Sequence, residues 1–238
     1  ALQRLRGVWP LLAAAILRQT DPQRALLRVS PLLETVARRS VYLVMLMENP
    51  TALAHLVQMM AVSPWISEEL VRYPVLLDEF LSANLRDLPD RAQLADSLRQ
   101  QLLRVDRDDT EGQMRVLRLF KKSQVLEVAA SDVLAEQPLM KVSDALTWIA
   151  EVVLSAALDL ALAALVHRHG LPRRSNGERV TLDAPAFAII GYGKLGGIEL
   201  GYGSDLDLVF LHDVDEQAET DGGKPISGME FCARLAQK

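Results

Sequence analysis

Apolar residues recur every three or four positions through most of the first 170 residues, with polar residues between them. This spacing places the apolar side chains on one face of an α-helix. We therefore predict a run of helices, at about residues 2–19, 32–48, 51–62, 65–72, 75–83, 90–105, 110–136 and 142–169.

Prolines and one glycine divide the pattern into separate helices. The pairs Asn49-Pro50, Ser63-Pro64 and Tyr73-Pro74 each disfavour helix before the proline and favour it after. Near residue 170 the run Gly-Leu-Pro is typical of a helix end, since glycine suits the cap and proline cannot continue the helix. These residues predict new helices at positions 50, 64 and 74.

The pattern changes after residue 170. Residues 171–185 are polar and contain Pro, Ser, Asn and Gly, which indicates a linker or an exposed hairpin. Short apolar runs at Phe187–Tyr192 and Leu206–Leu211 predict two strands, and Ser227 is a candidate cap for a further helix. We therefore predict a mostly α chain with a C-terminal α/β part. A helical region covers 1–170, a linker or exposed hairpin covers 171–185, and a second domain begins over 186–238.

One predicted helix is apolar enough to raise the question of a membrane. Residues 145–166 are long enough to span a bilayer, but Glu151 and Asp159 lie within them. Each carboxylate would cost about 2.5–3.5 kcal/mol at the bilayer centre. Because they are eight positions apart, they share one side of the helix. We expect a buried helix with one polar edge.

Composition and charge exclude several classes of protein. The chain has 238 residues, of which 50% are apolar and 24% charged, so a core can form and wholesale disorder is excluded. A single cysteine, Cys232, excludes a disulfide scaffold and a cysteine-rich zinc site. It lies in an apolar helical pattern, so we expect a buried thiol. No targeting segment is visible, and we expect a cytoplasmic location and a fragment of a longer protein.

The charge is unevenly distributed along the chain. The net charge is −5, which excludes a basic nucleic-acid binder. Residues 1–190 are balanced, whereas residues 191–238 hold 9 acidic and 4 basic side chains. Carboxylates concentrated in this way favour water or metal ions.

The acidic segment contains the one candidate site, in the sequence Gly-Tyr-Gly-Lys-Leu-Gly-Gly-Ile-Glu-Leu-Gly-Tyr-Gly-Ser-Asp-Leu-Asp from residue 191 to residue 207. Its first six residues fit the dinucleotide pattern G-x-G-x-x-G. However, the next strand follows after about ten residues, which leaves no room for the crossover helix of that fold. A Walker A loop is excluded, since Lys194 is followed by leucine.

Two other interpretations remain open from the residues alone. A plain glycine turn between two strands would leave Asp205 and Asp207 close together on one strand face, where like charges repel. A nucleotidyltransferase site uses the same features. Backbone N–H groups of the glycine turn bind a triphosphate, and two aspartates at i and i+2 hold divalent ions beside it.

The spacing from Gly193 to Asp205-x-Asp207 resembles that of the DNA polymerase β-like nucleotidyltransferase superfamily. The whole motif resembles bacterial glutamine synthetase adenylyltransferases, as do upstream segments such as Asn-Pro-Thr-Ala-Leu at residue 49 and Leu-Arg-Leu-Phe-Lys-Lys at residue 117. The resemblance covers nearly the whole chain. It implies a helical region followed by a truncated nucleotidyltransferase domain.

The family has two nucleotidyltransferase copies. The N-terminal copy removes AMP from glutamine synthetase by phosphorolysis, and the C-terminal copy transfers AMP from ATP to a glutamine synthetase tyrosine. The N-terminal copy tends to read Glu-Leu-Asn-x-Ser-Ser-Asp-Ile-Asp. This chain reads Glu-Leu-Gly-Tyr-Gly-Ser-Asp-Leu-Asp from residue 199, which resembles the adenylylating copy.

By this resemblance, Asp205 and Asp207 are the catalytic metal ligands, for Mg²⁺ with Mn²⁺ as the alternative. The resemblance also implies a triphosphate site lined by Gly193, Lys194, Gly196, Gly197 and Ser204. Two of these have plain alternatives: Lys194 as a solvated loop lysine, and Ser204 as a turn residue. The implied partners are glutamine synthetase and the PII signalling protein, with glutamine as a regulator.

One departure from the family pattern affects the expected activity. The family supplies a third carboxylate in an Asp-x-Arg-Leu-Arg-Pro motif, which does not occur in this sequence. Asp213, Asp215 and Asp221 are poor substitutes, because they fall in the apparent loop after the second strand. We expect half an active site, and weak or no activity from this chain alone.

Overall fold

A computed structural model describes residues 2–37, 39–78, 88–182 and 184–238. Helices occupy most of the chain up to residue 169, and a two-stranded antiparallel sheet follows. In chain order the elements are α1 (Leu2–Leu17), α2 (Pro22–Val36), α3 (Ser40–Glu48), α4 (Pro50–Val62), α5 (Pro64–Arg72), α6 (Arg91–Leu102), α7 (Thr110–Ala135), α8 (Leu139–His169), β1 (Phe187–Tyr192), the single turn α9 (Gly193–Gly196), β2 (Asp207–His212) and α10 (Gly228–Gln237).

The chain divides into two compact units. The first comprises residues 1–89 and 118–145, and the second comprises residues 90–117 and 146–238. The long helices α7 and α8 therefore contribute residues to both. Each unit has its own buried apolar side chains.

In the first unit, the prolines begin helices as the sequence predicts. Pro50 and Pro64 are the first residues of α4 and α5. At the start of α5, the Ser63 hydroxyl accepts a hydrogen bond from the Ile66 amide at 3.3 Å. This cap satisfies one of the amides that a helix start leaves without an internal acceptor.

The prediction of one helix over 32–48 is wrong, because the structure has two helices there and the first begins at Pro22. Pro31 lies inside α2, and the helix continues through it. The apolar face of α2 provides the reason, since Ala25, Val29, Leu32 and Val36 are all buried at a helical spacing. The predicted helix over 75–83 falls largely outside the described residues.

In the second unit, α8 and α10 pack against the strands and the segment between them and α8. The buried side chains of this core are Leu162, Leu165, Val180, Ala186, Val214, Phe231, Cys232 and Leu235, with Phe187 of β1 packed against them. The core fixes the sheet against the C-terminal half of α8.

The helix α8 is, by length and composition alone, able to cross a membrane, and 22% of its most apolar window is buried. Core helices of soluble proteins pass the same test. In the second unit, Leu162 and Leu165 are buried in the core, and Glu151 pairs with Arg91 at 3.0 Å. Asp159 is exposed to solvent on one side of the helix. Neighbouring protein atoms still remove part of the water around its carboxyl, and this partial burial raises the carboxyl pKa.

The C-terminal end of α8 is held by a close backbone contact that we call the α8 clasp, formed by residues 169–171 and 220–224. The Gly222 amide donates to the His169 carbonyl at 3.0 Å, and the Leu171 amide donates to Asp221 Oδ1 at 2.8 Å. The His169 ring is 3% exposed. Its Nδ1 lies 2.7 Å from the Lys224 carbonyl, so this nitrogen carries the proton.

The clasp requires glycine at position 222. A Cβ there would lie 2.3 Å from the Gly170 nitrogen and 2.3 Å from the His169 carbonyl carbon. We expect Gly222→Ala to lower the free energy of unfolding by about 1–3 kcal/mol, because backbone atoms cannot move aside cheaply. Urea unfolding followed by circular dichroism would measure it.

The neighbouring glycine supplies the control for this prediction. A Cβ on Gly223 would meet nothing within 4 Å. We therefore expect Gly223→Ala to stay within about 0.5 kcal/mol of the natural protein. Equal stability of the two variants would contradict the close contact.

The expectation of a buried thiol at Cys232 is confirmed, since the side chain is 5% exposed. Burial, and then the Glu216 charge, raise the pKa of this thiol to about 11.

The thiolate is the reactive form, so we expect Cys232 to resist iodoacetamide at pH 8 and to react quickly once urea unfolds the chain. Mass spectrometry of the alkylated protein measures both rates, and fast native alkylation would contradict the burial.

Candidate functional site

The candidate site lies at one end of the hairpin that β1 and β2 form. The strands pair antiparallel from Phe187 opposite His212 to Tyr192 opposite Asp207. The predicted first strand has the observed bounds, and the second begins one residue later than predicted. The glycine-rich segment 193–206 connects the strands at the Tyr192–Asp207 end.

The two faces of the hairpin have different environments. Directly opposed residues lie on the same face of an antiparallel pair. One face carries Phe187 and Phe210. Phe187 packs on the second unit's core, and the centroids of the two stacked rings lie 5.8 Å apart. The opposite face, which we call the open face, consists entirely of exposed residues: Ala188, Ile190, Tyr192, Asp207, Val209 and Leu211.

A left-handed glycine begins the connecting segment. Gly193 has φ +54°, a conformation that side chains with a Cβ rarely adopt. A Cβ at this position would lie 2.3 Å from Asp207 Oδ2. The Asp207 carboxylate therefore lies directly against the backbone of the turn, because Gly193 has no side chain to exclude it.

The turn packs closely against the end of β1. Leu195 is buried, and its Cδ2 atom lies 2.8 Å from where a Gly191 Cβ would be. A Gly196 Cβ would lie 2.6 Å from the Gly191 carbonyl oxygen. The glycines at these two positions thus permit a close approach between the end of β1 and the single turn α9.

Backbone hydrogen bonds close the turn and occupy several of its amides. Gly197 donates to the Gly193 carbonyl at 3.0 Å, and Glu199 donates to the Lys194 carbonyl at 2.8 Å. The first amides of a helical turn have no acceptor within it, so those of α9 are the donors available to a ligand. The Lys194 side chain is exposed.

Asp205 and Asp207 are both exposed, and Leu206 between them is partly buried. Asp207 is the first residue of β2, whereas Asp205 precedes the strand. The alternation of exposure continues from β2 back through residue 201, which places both carboxylates on the solvent side. Ser204 turns the chain into this run, since its hydroxyl accepts from the Gly201 amide at 3.0 Å.

Two neighbouring carboxylates fit a divalent cation of the Mg²⁺ type. Carboxylate oxygen is the ligand that Mg²⁺ prefers, and Mg²⁺ is commonly held by one or two carboxylates together with substrate phosphates. Across residues 2–37, 39–78, 88–182 and 184–238, there is no cluster of three or more His, Cys, Asp or Glu side chains that could hold a metal.

The three later carboxylates belong to other local structures. Asp213 follows the far end of β2, and hydrogen bonding from Ser175, then Arg174, lowers the pKa of its carboxyl. Asp215 accepts the amides of residues 217 and 218. In the α8 clasp, the Leu171 amide, then Arg179, lowers the pKa of Asp221. All three have their own hydrogen-bonding groups, away from Asp207.

Sequence reasoning did not single out Tyr192 as part of the site. The strand register places Tyr192 opposite Asp207 on the open face, and its side chain is 57% exposed. The signal was present in the hairpin itself. Once the two strands are paired across the glycine-rich segment, the last residue of the first strand must face the first residue of the second.

Comparison with known proteins identifies close relatives. A family model described as glutamate-ammonia ligase adenylyltransferase matches residues 53–238. The chain is 65% identical over 238 residues to the bifunctional glutamine synthetase adenylyltransferase/adenylyl-removing enzyme of Acinetobacter baylyi, and this match covers 100% of the chain and 26% of that enzyme. The enzymes of the same name from Pseudomonas putida and Thioalkalivibrio sulfidiphilus are 52% and 50% identical, each over 99% of this chain and 24% of their own length. The chain therefore spans about a quarter of the length of the curated relatives it matches.

Proposed function

Since the chain belongs to the glutamate-ammonia ligase adenylyltransferase family, we propose that its hairpin is part of a site that transfers AMP from ATP to a tyrosine of glutamine synthetase. One observation carries this proposal: the Asp207 carboxylate lies against Gly193, so a carboxylate and the first residue of a glycine-rich helical turn meet at one place. This pairing suits a nucleotidyltransferase of the polymerase β-like kind.

Each part of the hairpin has a role in the proposed transfer. Asp205 and Asp207 would hold Mg²⁺, or Mn²⁺, together with the phosphates. When bound, such an ion would offset the charge of the triphosphate while the tyrosine oxygen bonds to the α-phosphorus in line and pyrophosphate leaves. The amides of α9 donate to phosphate oxygens, and Lys194 adds a positive charge beside them.

The remaining predicted residues support the turn or contact the triphosphate. Gly193 allows Asp207 to approach, and Gly196 allows the turn to pack on β1. Gly197 closes the turn through its amide. Ser204 keeps its own hydroxyl proton for donation, because its oxygen is the acceptor in its bond with Gly201. A third carboxylate, which the described residues do not bring to the hairpin, would be the general base for the tyrosine hydroxyl.

The direction of the reaction rests on the motif around residue 199. The printed name of the relatives includes both adenylylation and removal of the adenylyl group. The sequence Glu-Leu-Gly-Tyr-Gly-Ser-Asp resembles the adenylylating copy, so we propose addition of AMP rather than phosphorolytic removal. Regulation through PII and glutamine, and a cytoplasmic location, are part of the same proposal.

The first test is AMP transfer by the longest native polypeptide that contains this sequence. We expect label from α-labelled ATP on a glutamine synthetase tyrosine with Mg²⁺ present, and loss of that label in Asp205→Asn/Asp207→Asn. Asparagine keeps the size of the side chain and removes the charge that holds the cation. Mass spectrometry of the labelled peptide locates the modification.

Two outcomes would contradict adenylylation. Release of ADP from pre-adenylylated glutamine synthetase on adding phosphate, without transfer from ATP, would identify the adenylyl-removing copy. Tight binding to glutamine synthetase that the double substitution leaves unchanged, without either activity, would identify a non-catalytic interaction module.

The turn itself gives a second test, with a matched control. We expect Gly193→Ala to reduce AMP transfer at least tenfold, because alanine resists the left-handed conformation by about 1–2 kcal/mol and its Cβ displaces Asp207. A Cβ on Gly203, in the same connecting segment, would meet nothing within 4 Å. Gly203→Ala should therefore retain transfer within about twofold. Similar rates for both variants would rule out the Gly193–Asp207 contact as the basis of the site.

A further inference from the structure

Tyr192 stands out among the aromatic side chains of the second unit. This residue is 57% exposed, the largest exposure among the aromatic residues in the parts of the chain that the structure describes. Phe187 and Phe210 stack on each other, on the face that contacts the core. The Tyr192 phenol has no hydrogen-bond partner within those same parts. The chain thus presents more than half of this aromatic residue to solvent.

The position of this ring is defined by two neighbours. Tyr192 is the cross-strand partner of Asp207, so their Cβ atoms lie about 4.5–5.5 Å apart on the open face. Tyr192 also directly precedes Gly193, the first residue of α9. The ring therefore lies beside both the carboxylate and the start of the turn.

We propose that Tyr192 contacts the nucleoside of the bound nucleotide, with its ring against the sugar and base. This inference rests on the proposed function, in which phosphates lie at the turn and the reacting α-phosphate lies at the carboxylates. The ribose is bonded to that α-phosphate, so the nucleoside begins at the carboxylate end of the site. Tyr192 lies at that end, opposite Asp207.

The chemistry of the ring defines what it recognises. Every nucleobase has a π-face, so stacking on an aromatic ring adds affinity without reading hydrogen-bonding edges. Tyr192 thus contributes to the affinity for nucleoside triphosphates and leaves the choice of adenine to other groups. Its phenol oxygen is not required for this role.

The rest of the open face supplies a control. Leu211 lies on the same face and is 53% exposed, close to the exposure of Tyr192. It is four residues along β2 from Asp207, about 13 Å at the usual rise of a strand. Removing its side chain changes a similar apolar surface at a distance from the proposed nucleoside.

The experiment compares four variants in the longest native polypeptide that contains the chain: Tyr192→Phe, Tyr192→Leu, Tyr192→Ala and Leu211→Ala. Equilibrium dialysis measures the binding of Mg²⁺-ATP and Mg²⁺-GTP, and steady-state transfer measures KM and kcat. We expect Tyr192→Ala and Tyr192→Leu to weaken ATP binding by about 5- to 150-fold. GTP binding should weaken by the same factor, and Tyr192→Phe and Leu211→Ala should change binding by no more than about twofold.

Two readouts separate this contact from a structural role. The midpoint of thermal unfolding should be nearly unchanged in the Tyr192 variants, because more than half of this residue is exposed to solvent. Nuclear Overhauser contacts should connect the adenine or ribose protons of bound ATP to the Tyr192 ring. In the transfer assay, Tyr192→Ala and Tyr192→Leu should raise KM for ATP and leave KM for glutamine synthetase unchanged.

Several outcomes would overturn the inference. Equal ATP binding by all four variants would exclude the nucleoside contact, even if AMP transfer is retained. A rise in KM for glutamine synthetase alone would place Tyr192 against the protein acceptor instead. A natural protein that binds no nucleotide would exclude the contact as well. The proposed function fails separately, when the natural protein binds ATP but transfers no AMP.

Discussion

The packing of α8 against the β1–β2 hairpin determines which face of the hairpin is open to solvent. Leu162 and Leu165 pack in one core with Phe231, and Phe187 joins them from the sheet. This contact occupies one face of the hairpin and leaves the other exposed. Because side chains alternate along a strand, it also decides that Asp207 and Tyr192 point away from the core. The buried face thus sets the orientation of the candidate site.

Glycines then bring the acidic side chain and the backbone together. Gly193 leaves space for Asp207, and Gly196 leaves space for the Gly191 carbonyl. In each case the missing Cβ permits an approach that no other residue would allow without displacement. The same principle operates in the α8 clasp, where Gly170 and Gly222 approach each other. Close backbone approach thus supports both the candidate site and the C-terminal end of α8.

Patterns of residues adjacent in sequence predicted the helices and strands better than they predicted the contacts between these elements. The strand Phe187–Tyr192 and the helix starts at Pro50 and Pro64 follow from residues adjacent in sequence, and the structure has them at those positions. The predicted helix began at residue 32, whereas burial of one apolar face carries α2 from Pro22 through the proline at position 31. The carboxylate pair could be read from its i, i+2 spacing. The α8 clasp could not, since it joins residues about 50 apart that share no local pattern.

The hairpin and the clasp also differ in how much chain must be ordered before they form. Tyr192 and Asp207 are neighbours across a segment of 14 residues, whereas Arg234 reaches the His169 ring, at 3.3 Å, across 65 positions. Closing a short loop costs less conformational entropy than closing a long one. The contact between the glycine turn and its carboxylate therefore costs less conformational entropy than the contacts that anchor α8. The candidate site is thus a local unit of the chain, whereas its support depends on residues far apart in sequence.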